Sequence, residues 1–272
     1  MNKTKIEWCD KTLNPVVGCS YGCAYCYARR INARFHYVPD FSKPQFFPER
    51  LEQLKSKVPA KVFLSSMSDP ADWTAEWAAA VVDAIEENPQ HEYLLLSKRP
   101  EVYSELFPLW RHRYGDLKNI WYGVTVASYR DLYKIANLPL YGNRFISFEP
   151  LLGSADLRRR PVQVAIPWID WAIIGAETGP GASSRRPRRE WVDEIVSYCD
   201  ETGVPVFMKD SLLQVVGAEG IRRDFPQTYA PPPSAERRRR REFMQRVRGS
   251  DRLDHHERGK TYARRPRARV HH

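Results

Sequence analysis

The sequence predicts an α/β fold: a partial parallel β/α barrel of about six βα units plus an added strand, followed by a basic C-terminal extension. Three observations carry this expectation. Short apolar runs alternate with helical stretches from residue 61 to 208. The runs begin about 24 to 34 residues apart, the size of a βα unit. They are mostly apolar and not alternating, as expected of parallel strands covered on one side by helices and on the other by a barrel interior.

The elements follow in order. The strands are expected at Lys61–Ser66, Glu92–Ser97, Ile120–Thr125, Arg144–Phe148, Trp171–Gly175 and Pro205–Met208, with a short first strand around Pro15–Gly18 bringing the count to seven. Trp77, Val81 and Ile85 recur at i, i+4 and i+8, marking a helix capped by Asp72 or Thr74. Pro100 suits the first position of the next helix, and Ser128 with Asp131 three residues on suits a cap for the one after. A helix opening at Pro187 and closing before Gly203 puts Trp191, Ile195 and Cys199 on one face, which makes Cys199 a core residue.

Length and composition set the outer bounds. A chain of 272 residues with 42% hydrophobic content suits one large domain over residues 1–230. No apolar stretch approaches the roughly 18 residues of a membrane span, so no membrane partner is expected. The start lacks an apolar signal segment, and five cysteines are few for a secreted framework, which points to a reducing cytoplasm. The net charge of +10 is concentrated at one end. Residues 235–272 hold fourteen Lys and Arg against five Asp and Glu. Residues 231–272 therefore form a Pro/Arg-rich tail, opening at Pro231-Pro232-Pro233 and Arg237–Arg241. Such a tail is expected either to contact nucleic acid or another polyanion or to be a solvated extension.

The chemistry concentrates near the start, in Gly18-Cys19-Ser20-Tyr21-Gly22-Cys23-Ala24-Tyr25-Cys26-Tyr27. Three thiolates at C-x3-C-x2-C spacing can hold three irons of a cubic cluster and leave the fourth open. Cys9 as a fourth ligand would instead permit a closed zinc site. Polar residues also recur where strands end, the face on which β/α barrels assemble their sites. Ser65, Ser66, Ser68 and Asp69 follow the second strand; Lys98 and Arg99 the third; Thr125 and Ser128 the fourth. Glu149 follows the fifth, Glu177 the sixth, and Lys209 with Asp210 the seventh. One shared pocket is expected from this recurrence. Glu149 and Glu177 are candidates for moving a proton or positioning substrate, or salt-bridge partners of Lys98, Arg99 or Lys209.

The cysteine spacing, with an aromatic before the third, resembles the radical S-adenosylmethionine enzymes. That resemblance implies a 4Fe-4S cluster on Cys19, Cys23 and Cys26, S-adenosyl-L-methionine chelated to the open iron, and an external electron donor. Reductive cleavage of the sulfonium then gives a 5′-deoxyadenosyl radical that abstracts hydrogen from a substrate. It further implies Tyr25 against the adenine and Ser66, Ser68 and Asp69 near the methionine amine, where such enzymes usually have a glycine-glycine-glutamate pattern that is absent here. Lys98 or Arg99 would meet the methionine carboxylate, and Thr125 and Ser128 the ribose; Glu149, Glu177 and Lys209 are candidates for catalysis by their strand-end placement.

Over about residues 5–230 the strand-end phrases also resemble one uncharacterised family first noted in phage genomes. The phrases are Ser66-Met67-Ser68-Asp69, Leu96-Ser97-Lys98-Arg99-Pro100, Gly123-Val124-Thr125-Val126, Phe148-Glu149-Pro150-Leu151-Leu152 and Gly175-Ala176-Glu177-Thr178-Gly179. That family is distantly similar to spore photoproduct lyase. The expected substrate is a nucleobase, nucleotide or nucleic acid; the alternatives are a peptide or small metabolite, or a non-enzymatic, metal-stapled nucleic-acid-binding protein.

Overall fold

A computed structural model describes residues 1–106, 118–159 and 169–227, which all lie in one contact unit, Met1–Tyr229. Its frame is an eight-stranded sheet, with seven parallel strands curled into a half-barrel. In sheet order these are β1 (Asn2–Lys3), β2 (Lys11–Thr12), β5 (Lys61–Phe63), β6 (Glu92–Ser97), β7 (Ile120–Thr125), β8 (Asn143–Phe148), β9 (Trp171–Ile174) and β10 (Val206–Met208). Only β1 runs antiparallel, against β2. The partial-barrel expectation therefore holds for the sheet. The basic tail lies outside the described residues, as does residue 228 onward.

Six of the seven expected parallel strands appear, with ends shifted by up to three residues. The first is different. Pro15–Gly18 is not a barrel strand: β3 (Val16–Val17) pairs antiparallel with β4 (Gln45–Phe46) in a separate ribbon. The strand beside β5 is Lys11–Thr12, with Lys11 opposite Val62 and Thr12 opposite Phe63. Polar Lys11 and Thr12 reach strand geometry because β1 and β5 take up their backbone groups on both sides, and Pro15 then ends the run.

Crossovers cover the outer face. Helix α1 (Tyr27–Phe35) lies between β2 and β5 in the chain, α2 (Ala75–Glu86) between β5 and β6, α3 (Val102–Leu106) between β6 and β7, and α4 (Arg189–Thr202) between β9 and β10. Thr74 is the cap of α2, its hydroxyl accepting from the Trp77 amide at 3.3 Å, which leaves Asp72 free for another role. Ser128 does cap, with Asp131 accepting from the Ala127 amide at 3.0 Å, but the segment it opens, Tyr129–Asn137, is a 3-10 helix. Helix α4 closes at Gly203, whose φ of +70° is the left-handed form glycine adopts without steric cost. Its buried face is Val192, Ile195 and Cys199, so Cys199 packs in the core as expected.

The barrel interior is built in rows. Parallel register places Gly123 beside Phe145 and Trp171; Thr125 beside Ser147 and Ile173; and Ile173 beside Phe207. Side chains two apart on a strand share a face. The lower interior is therefore an aromatic floor of Phe63, Trp121, Phe145, Trp171 and Phe207, plugged by Trp8, whose ring centroid lies 4.8 Å from that of Phe63. One row higher the interior turns polar, with Thr125 and Ser147. Continuing the same registers by two residues aligns Glu149, Gly175 and Lys209 at the rim.

Gly123 makes the floor possible. A Cβ built there would sit 2.2 Å from Phe145 Cζ, so the ring occupies the space a side chain would need. Gly123→Ala is expected to cost about 2 kcal/mol through overpacking, read as a lower thermal midpoint, with partial recovery when Phe145→Leu is added.

Candidate functional site

The cysteine loop is held at the C-terminal end of the barrel by backbone bonds. Gly18 donates to the Met67 carbonyl at 2.9 Å, and Cys19 to that of Phe41 at 2.7 Å. Gly18 has φ +115°, and a Cβ on it would lie 2.7 Å from Pro44 Cα; both facts demand glycine just before the first cysteine. Cys26 caps α1, its sulfur accepting from the Arg29 amide at 3.3 Å. Beneath the loop, Val17, Ala28, Val38, Phe41 and Met67 form a small apolar cluster against which Cys19 and Cys26 pack.

All three thiols are free and half-buried, and all line one cavity of about 800 Å³. Burial pushes the Cys19 thiol up to about 12 and raises that of Cys23 as well. Such thiols favour the thiolate form when a cation replaces the proton. Among the described residues, no group of three or more His, Cys, Asp or Glu side chains could hold a single metal ion. A cubane places its three cysteines on three different irons, so its ligands need not converge on one point. The soft donor set and its place on the cavity wall fit such a cluster. Cys9 does not join the three. It lies in the aromatic floor, its thiol donating to the Ile6 carbonyl at 3.8 Å, with burial raising it to about 12.

The cavity gathers every candidate residue except Arg99, Ser128 and Asp210, which instead pairs with Arg223. Tyr25 lines it, with Lys98 Nζ 5.7 Å from its ring centroid. Ser66 donates to Asn14 Oδ1 at 2.9 Å, and Ser68 accepts from Trp73 Nε1 at 3.1 Å. Asp69 is engaged within the protein: its carboxylate takes the Ser97 hydroxyl at 2.6 Å, the Lys98 amide at 2.9 Å and the Ala71 amide at 3.0 Å. It thereby ties the ends of β5 and β6 together.

Arg99 also has a structural partner. It pairs with Asp72 at 2.8 Å, while Asp72 accepts from the Ser20 amide at 2.9 Å and the Ser20 hydroxyl at 2.6 Å. Despite the desolvation that opposes it, these bonds hold the Asp72 carboxyl below its usual range. Arg99 and Asp72 therefore brace the residue next to Cys19. Ser128 caps its 3-10 helix, away from the cavity lining.

The carboxylates are paired. Glu149 bonds Lys209, and the missing side chain of Gly175, whose added Cβ would lie 3.0 Å from Lys209 Cδ and 3.2 Å from Glu149, lets the two meet across β9. Glu177 is gripped by Arg185 at 2.7 and 2.5 Å, which holds its carboxyl below the usual range.

Among the described residues, the buried hydroxyls Thr125 Oγ1 and Ser147 Oγ are without partners, as is Trp8 Nε1, and all three residues line the cavity. These groups are the ones a bound molecule would satisfy. Ser147, Trp8 and the Asp72 brace escaped the sequence reading. Period-2 counting back from Glu149 along β8 would have found Ser147; nothing local marks Trp8 or the Asp72–Ser20 contact, which spans 52 residues.

Among the described residues no helix is long and apolar enough to cross a membrane. Comparison with curated proteins and with solved structures gives no match. A family model described as "Protein of unknown function (DUF5131)" matches residues 3–248, and the chain belongs to that family.

Proposed function

We propose that the protein is a radical S-adenosylmethionine enzyme that abstracts hydrogen from a nucleobase-containing substrate. The observation that carries this reading is the position of Cys19, Cys23 and Cys26: three free thiols lining a cavity of about 800 Å³ at the C-terminal end of a parallel half-barrel. When bound, the cluster and S-adenosylmethionine supply the one-electron cleavage of the sulfonium and the hydrogen-abstracting group; an external donor, met in the cytoplasm, supplies the electron.

The chain's own residues position and enclose. The three cysteines would hold the cluster. Tyr25 offers a ring face for an adenine, and Lys98 a cation for the methionine carboxylate. Ser66 and Ser68 would offer hydroxyl oxygens to the methionine ammonium. Thr125 offers its unpartnered hydroxyl to a ribose or substrate oxygen. The aromatic floor closes the lower end to water, which protects a reactive species from quenching. Glu149 and Lys209, paired at the rim, would hold or move a proton.

The test is reductive cleavage. Protein reconstituted without oxygen and reduced should convert S-adenosylmethionine to 5′-deoxyadenosine and methionine, faster when a substrate is added. Deuterium transferred from a labelled nucleoside into 5′-deoxyadenosine would identify the atom attacked. Binding of S-adenosylmethionine without any cleavage under strong reductant defeats the reading.

A further inference from the structure

The cysteine loop continues into a surface the cavity chemistry does not use. Residues 11–39 contain no Asp or Glu, while α1 carries Arg29, Arg30 and Arg34, all exposed. None of the three forms an ion pair with a described carboxylate; Arg30 instead donates to the Thr178 carbonyl at 3.2 Å, linking α1 to the loop after β9. Just past the helix, Phe35 and Tyr37 stack with centroids 5.9 Å apart and planes 26° from parallel, yet they are 55% and 50% exposed.

This aromatic pair is held in place. His36 between them takes φ +51°, and the Asn32 side chain, itself buried, bonds the Val38 carbonyl and amide at 3.0 Å each. A turn fixed in this way presents two rings to solvent without burying either. Tyr37 and Tyr27 also line the cavity, so the platform adjoins its mouth.

We propose that α1 and the Phe35–Tyr37 turn form an interface for single-stranded nucleic acid, which delivers one base into the cavity. The three arginines suit phosphates, and the exposed rings suit base stacking, the two contacts by which single strands are held. Inside, Thr125 Oγ1, Ser147 Oγ and Trp8 Nε1 give an uncharged base hydrogen-bond partners, while the Glu149–Lys209 and Glu177–Arg185 pairs neutralise each other. An acidic protein would match the arginines but leave the aromatic platform unexplained. The proposal rests on the nucleobase reading above and narrows it to a polynucleotide.

The test uses the full chain, without iron or S-adenosylmethionine, and a fluorescein-labelled 12-mer of thymidylate read by anisotropy. Arg29→Glu/Arg34→Glu should lower the slope of log affinity against log salt by about 1.4, at about 0.7 per phosphate on a single strand. Phe35→Ala/Tyr37→Ala should weaken binding about tenfold at fixed salt, and an abasic 12-mer should bind the wild type about as weakly. Three results overturn the proposal. The first is no binding of the 12-mer. The second is unchanged binding in both variants, which assigns affinity to the tail. The third is equal affinity for polyglutamate with no effect of the aromatic substitutions, which assigns the face to an acidic protein. Because the readout needs no cluster, failure here leaves the radical reading intact, and failure to bind iron leaves this interface intact.

Discussion

Alanine at Cys19, Cys23 or Cys26 is expected to abolish iron–sulfur incorporation, whereas Cys9→Ala and Cys199→Ala retain it. Wild-type protein reconstituted anaerobically should carry about four irons per chain, with broad visible absorption that bleaches on reduction. The contrast follows from placement. The three loop thiols line the cavity, while Cys9 lies in the aromatic floor and Cys199, on the buried face of α4, is 1% exposed. Each loop cysteine would hold one iron of the proposed cluster, so losing any one would leave an iron without a protein ligand. Stoichiometric zinc without iron would defeat the cluster assignment. Loss of the cluster in Cys9→Ala would mean four protein ligands and no open iron.

Asp72→Ala is expected to loosen the same loop from below and to destabilise the fold. It removes both bonds to Ser20 and leaves the Arg99 guanidinium, 29% exposed, without its carboxylate. Breaking a fully buried pair costs about 3–5 kcal/mol, and partial exposure of Arg99 lowers the expectation to about 2 kcal/mol. For a domain of this size that is a drop of roughly 4–8 °C in melting temperature. Asp72→Ala/Arg99→Ala should recover part of the loss, because the unpaired charge goes with its partner. The cluster should nonetheless stay more labile to chelators in both variants, since Ser20 remains unbraced. Equal stability of Asp72→Ala and wild type, with equal iron retention, would remove the brace from the account.

Several features required no folded chain to read. The mostly apolar runs located six barrel strands, because a parallel strand covered on both faces favours apolar side chains. Gly203 marked the end of α4, and the face of Trp191, Ile195 and Cys199 placed Cys199 in the core. The cysteine spacing is a local property, and strand-end position alone gathered Ser66, Lys98, Thr125, Glu149 and Lys209 around one cavity.

The pairings were decided only by tertiary structure. Lys11–Thr12 became the first barrel strand through hydrogen bonds to β1 and β5, a matter of neighbours and not of composition. Asp69 and Arg99 carry charge types suited to a ligand, yet Asp69 is bound by three donors and Arg99 by Asp72. Glu149 meets Lys209 because parallel register puts Gly175 between them. Ser147 and Trp8 gained significance by being buried without partners at a cavity wall. Residue type and spacing fix what a side chain can do within its own strand or loop; its partner is set by register between strands distant in sequence, which no local pattern encodes.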